Sequence, residues 1–283
     1  MCEVKGNSYE ALILHGGGTP QLGFLIGLFD GLDADFSTLK CNLRTSSAGS
    51  MAILYLLIRR HMNRDEVHET FARLARELCC FSDLPGLLLE TLESERRALR
   101  DFRDFNRILP DGLRVLTFQK IHEINPNIDW TVQTTIIEDG EIKESVFGAH
   151  TPDVRIIDAV AASCAVPFIL AGVEIGGVNH MDGDLCQWTS AYHDERNFHI
   201  QCRPGTEQLR HLKFLTEIPF VDEILRVTCA YLSTNHVQPN IKAALALSSH
   251  RHFTSYGSSL DAELFSPLYY DAGILFSQDV VLK

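Results

Sequence analysis

The sequence predicts an α/β fold, a three-layer α/β/α sandwich around a mixed, mainly parallel central sheet. Three observations carry that expectation. The apolar run Ala11-Leu12-Ile13-Leu14-His15 ends in Gly16-Gly17-Gly18, after which Leu22, Leu25, Ile26 and Phe29 recur at helical spacing. Cys41 to Arg44 reads as a second short strand, feeding Thr45-Ser46-Ser47-Ala48-Gly49 and then an apolar helix. Trp130 to Ile137 alternates with β-branched residues and turns at Asp139-Gly140 into Ile142 to Phe147.

In chain order, Tyr9 to Leu14 is a fully buried strand and Gly16 to Gly18 a flexible loop, followed by a helix over Leu22 to Leu32. Ser50 to His61 is apolar on nearly all sides and ends in Arg59-Arg60-His61, cations suited to a helix C-terminus. Residues 63 to 125 are mostly helical and more polar, except for Leu84 to Leu92, which Pro85-Gly86 interrupts. Thr151-Pro152-Asp153 supplies a cap, a proline and an early acid, so a helix is expected from there to about Ser163, before Pro167. Ala171 to Ile175 and Val178 to Met181 flank Gly176-Gly177, a hairpin signal that leaves Asp182 at a strand end. Helices are expected near 220–228 and 239–248, then a tail containing Ser and Tyr. There are no repeats, low-complexity tracts or clear linkers.

The chain has 283 residues, enough for a sizeable core, with 45% hydrophobic and 22% charged residues. Its net charge of −12 argues against nucleic acid and against charge-driven adhesion to anionic membranes. A zwitterionic lipid, recognised mainly by an apolar site, stays compatible. The 8 cysteines are scattered apart from Cys79-Cys80 and suggest no disulfide framework. Met1 to Lys5 lacks the pattern of a signal peptide, and the longest apolar stretch, Met51 to Ile58, is too short to span a bilayer. The expected location is the cytoplasm, with transient contact at a membrane surface.

Acyl transfer needs a nucleophile held clear of its backbone, a base, and donors aimed at an oxyanion. A strand-to-helix elbow supplies the first, because small neighbours let a strained turn close. Ser47 is the candidate, since Ala48 and Gly49 follow it and it would cap the next helix. The same turn also reads as a Ser-rich helix cap. Gly16, Gly17 and Gly18 could present bare backbone N–H groups to a substrate oxygen. The triplet also reads as a plain loop or a phosphate site, although no G-x-G-x-x-G or Gly-Lys-Ser/Thr accompanies it. Asp182, in His180-Met181-Asp182-Gly183-Asp184, is the base candidate by its strand-end position and the second acid beyond it. Alone, Asp-Gly is a turn.

Taken together, these elements resemble the patatin-like phospholipases. That family has a Gly-rich oxyanion loop after its first strand, a G-x-S-x-G elbow and a late Asp-Gly-Gly or Asp-Gly-Ala. Asp158-Ala159-Val160-Ala161-Ala162-Ser163-Cys164-Ala165-Val166-Pro167 is similar to the family's helix ending in Ala-Ser-x-Ala-x-Pro. The resemblance runs over a catalytic core at 9–190, leaving 191–283 as a C-terminal extension expected to pack on the same domain. It implies a patatin-like fold and a serine hydrolase, a phospholipase A-type enzyme without cofactor or metal. Ser47 and Asp182 would form a dyad that cleaves an acyl lipid through an acyl-serine intermediate, with Gly16, Gly17 and Gly18 as oxyanion hole. Three positions depart from the pattern. Pro20 stands where the family has Arg or Lys, with the next glycine delayed to Gly23, so the cation is absent or comes from elsewhere, for instance Arg44. Thr45 replaces the elbow's first glycine, and Asp184 follows Gly183.

Two rival functions share these features. One is a Ser-His-Asp α/β-hydrolase, an esterase or thioesterase, using a late histidine such as His211, His236 or His250. The other is a catalytically weakened relative that binds lipid or protein, suggested by Pro20 and Thr45. Cys186, His193, His199 and Cys202 are metal-capable, but their spacing fits no common zinc module and reads as buried Cys and surface His. Leu84, Leu87, Leu88, Leu89 and Leu92 read as a buried helix edge or as a lid against lipid.

Overall fold

The computed structural model describes residues 2–4, 6–78, 109–139, 141–165, 170–185, 196–200 and 267–282. Leu84 to Leu92, the helices near 220–228 and 239–248, His211, His236, His250, Cys186, His193 and Cys202 lie outside them. The fold is α/β, with a mixed central sheet and flanking helices. The sheet strands are β3 (Ala11–Leu14), β4 (Asn42–Thr45), β5 (Trp130–Glu138), β6 (Glu141–Phe147), β7 (Val173–Ile175), β8 (Val178–Met181) and β9 (Asn197–Ile200). The order is β7-β8-β5-β4-β3-β9, with β6 also on β5. Strands β9, β3, β4 and β5 run parallel. Strand β3 lies between β4 and β9 with every residue buried, which accounts for its unbroken apolar run.

Expected and observed elements differ at two places that matter. The strand predicted from Tyr9 to Leu14 is divided. Strand β2 (Asn7–Tyr9) joins β1 (Cys2–Val4) and β10 (Val280–Val281) in a separate small sheet. The break falls at Glu10, whose N–H donates to the Arg196 carbonyl at 2.7 Å and whose carboxylate pairs with the Arg196 guanidinium. The helix predicted from Thr151 begins only at Ile156 and runs to Ser163. Thr151 is held instead in a turn, its N–H donating to the Gly148 carbonyl and its hydroxyl accepting from the Gly148 N–H. Arg155 then bridges to Thr117 before the helix starts.

Helices α1 (Gly18–Gly31) and α2 (Ala48–Arg59) pack on one another, and α2 is buried from Ala48 to Ile58. Each fully buried Leu or Ile of this kind contributes about 1.5–3 kcal/mol of transfer free energy. Helix α3 (Arg64–Leu78) follows α2, and the C-terminal residues 267–277 pack on α1. One carboxylate joins these parts. Asp30 is buried and accepts from the Tyr55 hydroxyl (2.6 Å), Arg59 (3.1 Å), Arg64 (3.1 Å), His68 (2.8 Å) and the Tyr270 hydroxyl (2.7 Å). Burial pushes its pKa up, but hydrogen bonds from His68, Tyr55 and Tyr270 and the Arg64 charge outweigh this and hold it below the ordinary value. Cys2, Cys41 and Cys164 are buried.

The pairing around β5 builds the site. Val132 pairs with Thr45 of β4 and with Phe147 of β6, so β4 and β6 lie on opposite edges of β5. Thr135 pairs with Met181 of β8 and with Glu144 of β6, so β8 also lies opposite β6. Strands β4 and β8 therefore share one edge of β5. They approach end to end, because β4 is parallel to β5 and β8 antiparallel. Ser47 and Asp182 emerge into the gap between them.

Candidate active site

Ser47 sits in the sharp turn between β4 and α2 with φ 45 and ψ −118, a conformation L residues rarely adopt. Such strain costs about 1–3 kcal/mol and persists only where the surroundings over-determine it. Here they do. The Ser46 N–H donates to the Leu14 carbonyl at 3.0 Å, and the Ser47 N–H donates to the Ser163 hydroxyl at 2.8 Å. Gly49 lets α2 close onto β3, since a Cβ there would stand 2.1 Å from the Leu14 carbonyl oxygen. The neighbouring serines are fully buried and engaged. The Ser46 hydroxyl donates to Asp184, while that of Ser50 bonds Thr45 and Ser163. Of the three, Ser47 alone is partly exposed.

Thr45 departs from glycine without disturbing the turn. Its side chain points into the core, where it accepts from the Trp130 indole N–H at 3.0 Å and lies within hydrogen-bond distance of Ser50 and the Thr131 carbonyl. Ser163 takes its role from tertiary structure rather than from its place in the Ala-Ser-x-Ala-x-Pro motif. Besides accepting from Ser47, its hydroxyl donates to the Gln133 carbonyl at 2.6 Å. Gly183 packs on that same carbonyl, so one point of β5 is touched from both sides of the gap.

Asp182 is 4% exposed. Its N–H donates to the Ala165 carbonyl and its own carbonyl accepts from the Thr135 hydroxyl, which fixes the loop after β8. Oδ1 accepts from the Asp184 N–H at 2.9 Å, and buried Oδ2 has no partner that meets hydrogen-bond geometry. Burial raises the pKa well above the ordinary carboxylate value, and the Asp184 charge raises it further. The Asp184 N–H and the nearby Ser47 hydroxyl oppose the rise. Ser47 thus influences the carboxylate without a fully formed hydrogen bond. Among the described residues no imidazole hydrogen-bonds to Asp182; the His15 ring pairs with His199 at 3.0 Å and that of His180 with Thr134 at 2.9 Å.

The glycine triplet abuts the elbow, since a Cβ on Gly16 would stand 2.8 Å from the Ser47 Cβ. The three glycines are not equivalent in their hydrogen bonding. The Gly16 N–H donates to Asp184 Oδ1 at 3.1 Å and is already occupied. Gly17, with φ 146, caps α1, and Gly18 is the first residue of that 14-residue helix rather than part of a loop. Their N–H groups belong to a helix N-terminus, where partial positive charge favours an anion. Pro20 lies in the same first turn, where a missing N–H costs no hydrogen bond. Arg44 is half-buried on β4, and its charge acts on Glu144, whose pKa burial raises and Arg44 lowers. Among the described residues no group of three or more His, Cys, Asp or Glu is placed to hold a metal. His199, one of the metal-capable residues, is the partner of His15 on β9. Among them, too, no helix is long and apolar enough to cross a membrane.

A mixed sheet carrying a strained serine between strand and helix, beside a glycine-led helix start, is the build of an α/β acyl-hydrolase fold. The family model described as Patatin-like phospholipase matches residues 14–187. The chain belongs to that family, and the membership supports lipid hydrolase activity. Among solved structures it is similar to VipD from Legionella pneumophila, at 13% identity and a TM-score of 0.40, covering 96% of this chain and 67% of that one. It is also similar to the type III effector protein ExoU, at 16% identity and a TM-score of 0.32, covering 96% of this chain and 54% of that one. The chain thus spans about half of ExoU. No curated protein matches it.

Proposed function

We propose that the protein is a serine hydrolase of phospholipase A type, cleaving an acyl ester of a phospholipid, lysophospholipid or related lipid. The observation that carries this reading is the end-to-end approach of β4 and β8 on β5, which sets a strained Ser47 beside the unpartnered Oδ2 of Asp182. Ser47 Oγ attacks the ester carbonyl while Asp182 takes its proton, and the tetrahedral oxyanion receives the N–H groups of the Gly16-Gly17-Gly18 segment. Collapse breaks the ester bond, and the leaving alcohol takes the proton from Asp182. The regenerated carboxylate then activates water, which hydrolyses acyl-Ser47 and releases the fatty acid. The enzyme acts in the cytoplasm on lipid met at a membrane surface, without metal or cofactor.

The test is labelling with a serine-reactive fluorophosphonate alongside hydrolysis of a panel of acyl lipids. The expected outcome is modification of Ser47 and fatty-acid release, both lost in Ser47→Ala, with turnover reduced at least roughly 10⁴-fold. Activity persisting in folded Ser47→Ala would overturn the assignment. A second reading, a lipid-binding relative with weakened catalysis, is favoured by the engagement of the Gly16 N–H by Asp184. It predicts lipid binding with neither labelling nor release.

A further inference from the structure

Asp184 ties together three segments of the site. Its Oδ1 accepts the Gly16 N–H from the loop after β3 and the Ser46 hydroxyl from the elbow, and its own N–H reaches Asp182 Oδ1. The carboxyl group also packs directly on Gly16. A Cβ there would meet Asp184 Oδ2 at 1.9 Å and the Ser47 Cβ at 2.8 Å. A negative charge therefore stands beside the nucleophile, on the backbone that would face a new oxyanion. Hydrogen-bond donors serve catalysis when they point at developing charge, and here one of them already points at a resident carboxylate.

We propose that Asp184 is a built-in competitor for the oxyanion loop, holding the Gly16 N–H in the resting protein so that it opposes formation of the tetrahedral intermediate at Ser47. The inference rests on the acyl-serine reading above. In the resting state the carboxylate satisfies a donor left bare by the glycine loop. During acylation its charge repels the oxyanion, and before acylation it disfavours the ionised form of Asp182. The groups facing it, among the described residues, are Asp182 on its own loop, the hydroxyls of Ser46 and Ser47 on the elbow, and the loop after β3. On that loop His15, next to Gly16, turns its ring to His199. Asp182 is the partner whose titration Asp184 alters, because Asp182 is buried and the Asp184 N–H bonds its Oδ1, which holds the two acids side by side.

The experiment compares wild type, Asp184→Asn and Asp184→Ala by the rate of Ser47 labelling with fluorophosphonate across pH. The Gly16 amide resonance is followed in parallel. Asparagine keeps an acceptor for Gly16 and Ser46 but removes the charge, and alanine removes both. Labelling should quicken roughly tenfold in Asp184→Asn through the charge alone. In Asp184→Ala it should gain up to about 10²-fold as a donor is freed. The acid limb of both profiles should move to lower pH, and the Gly16 amide should titrate in wild type but not in Asp184→Ala. Wild-type or slower labelling in both folded variants, with an unmoved acid limb, would make Asp184 a brace and overturn the proposal. Absence of Ser47 labelling in all three proteins, with the Gly16 amide still titrating in wild type, would overturn the acyl-serine reading and the competition built on it.

Discussion

The backbone N–H of Ser47 donates to the side-chain hydroxyl of Ser163 at 2.8 Å, across 116 residues of sequence. The bond holds the strained turn from below while the Ser47 side chain stays free above it. Because the Ser163 hydroxyl in turn donates to the Gln133 carbonyl, the elbow is braced against β5, the strand that also positions Asp182.

Ser163→Ala should therefore weaken both the fold and the chemistry. It leaves the Ser47 N–H without its acceptor, at a cost of about 1–3 kcal/mol. Thermal denaturation should show the loss, and turnover should fall more than KM changes, since the displacement is confined to the nucleophile. A variant with wild-type stability and turnover would show the brace to be dispensable.

Asp182→Asn should be nearly as damaging as loss of Ser47, and no substitution among the 12 histidines should match it. In a triad the aspartate would only orient an imidazole, and a His→Ala change would be equally severe. His211, His236 and His250 are the variants that decide between the two classes.

The pH profile follows from the same carboxylate. Burial raises the Asp182 pKa, and the base must be ionised to accept a proton. Activity is absent below the raised folded value and appears as pH climbs through it, so the acid limb of kcat/KM should lie above the ordinary carboxylate pKa of about 4. A limb at or below that value would remove Asp182 as the titrating base.

Gly17→Ala should reduce turnover sharply. Position 17 has φ 146, which an L side chain adopts only with strain. Relief of about 1–3 kcal/mol of strain would rotate the N–H groups at the start of α1 away from the oxyanion. Unchanged turnover would show that the glycine shapes a loop and nothing more.

Asp30→Ala should destabilise the protein by about 1–3 kcal/mol without altering the site, because it removes the shared acceptor of Tyr55, Arg59, Arg64, His68 and Tyr270 while water still reaches the cations in part. Its folded pKa is lowered, so its contribution is present above the unfolded carboxylate value and is lost as pH falls through the folded one. Denaturant titrations of wild type and variant should converge at low pH.

Much of the site was legible before any tertiary contact was known. A strained elbow needs small residues at fixed offsets, which pointed to Ser47, whereas Gly16-Gly17-Gly18 read as a flexible loop and only the structure starts α1 at Gly18. The hairpin around Gly176-Gly177 likewise announced that Asp182 ends a strand. Strand β9, by contrast, is four residues with Asn and His among them, and carries little pattern until β3 supplies its partner. Thr151 looked like a helix cap because capping and turn-forming residues are the same types, and only its bond to Gly148 separates the two.

The sequence alone determined several local conformations: a buried strand, a serine turn between strand and helix, and an Asp-Gly strand end. Each rests on the backbone preferences of a few adjacent residues. Tertiary structure decided which of them meet. That β8 runs against β5 on the same edge as β4, that Ser163 braces Ser47, that Asp184 takes the Gly16 N–H and that Asp30 gathers three helical segments are all pairings between distant residues. No period or spacing encodes them, because hydrogen-bond partners far apart in the chain are chosen by the packing of the whole sheet and its helices.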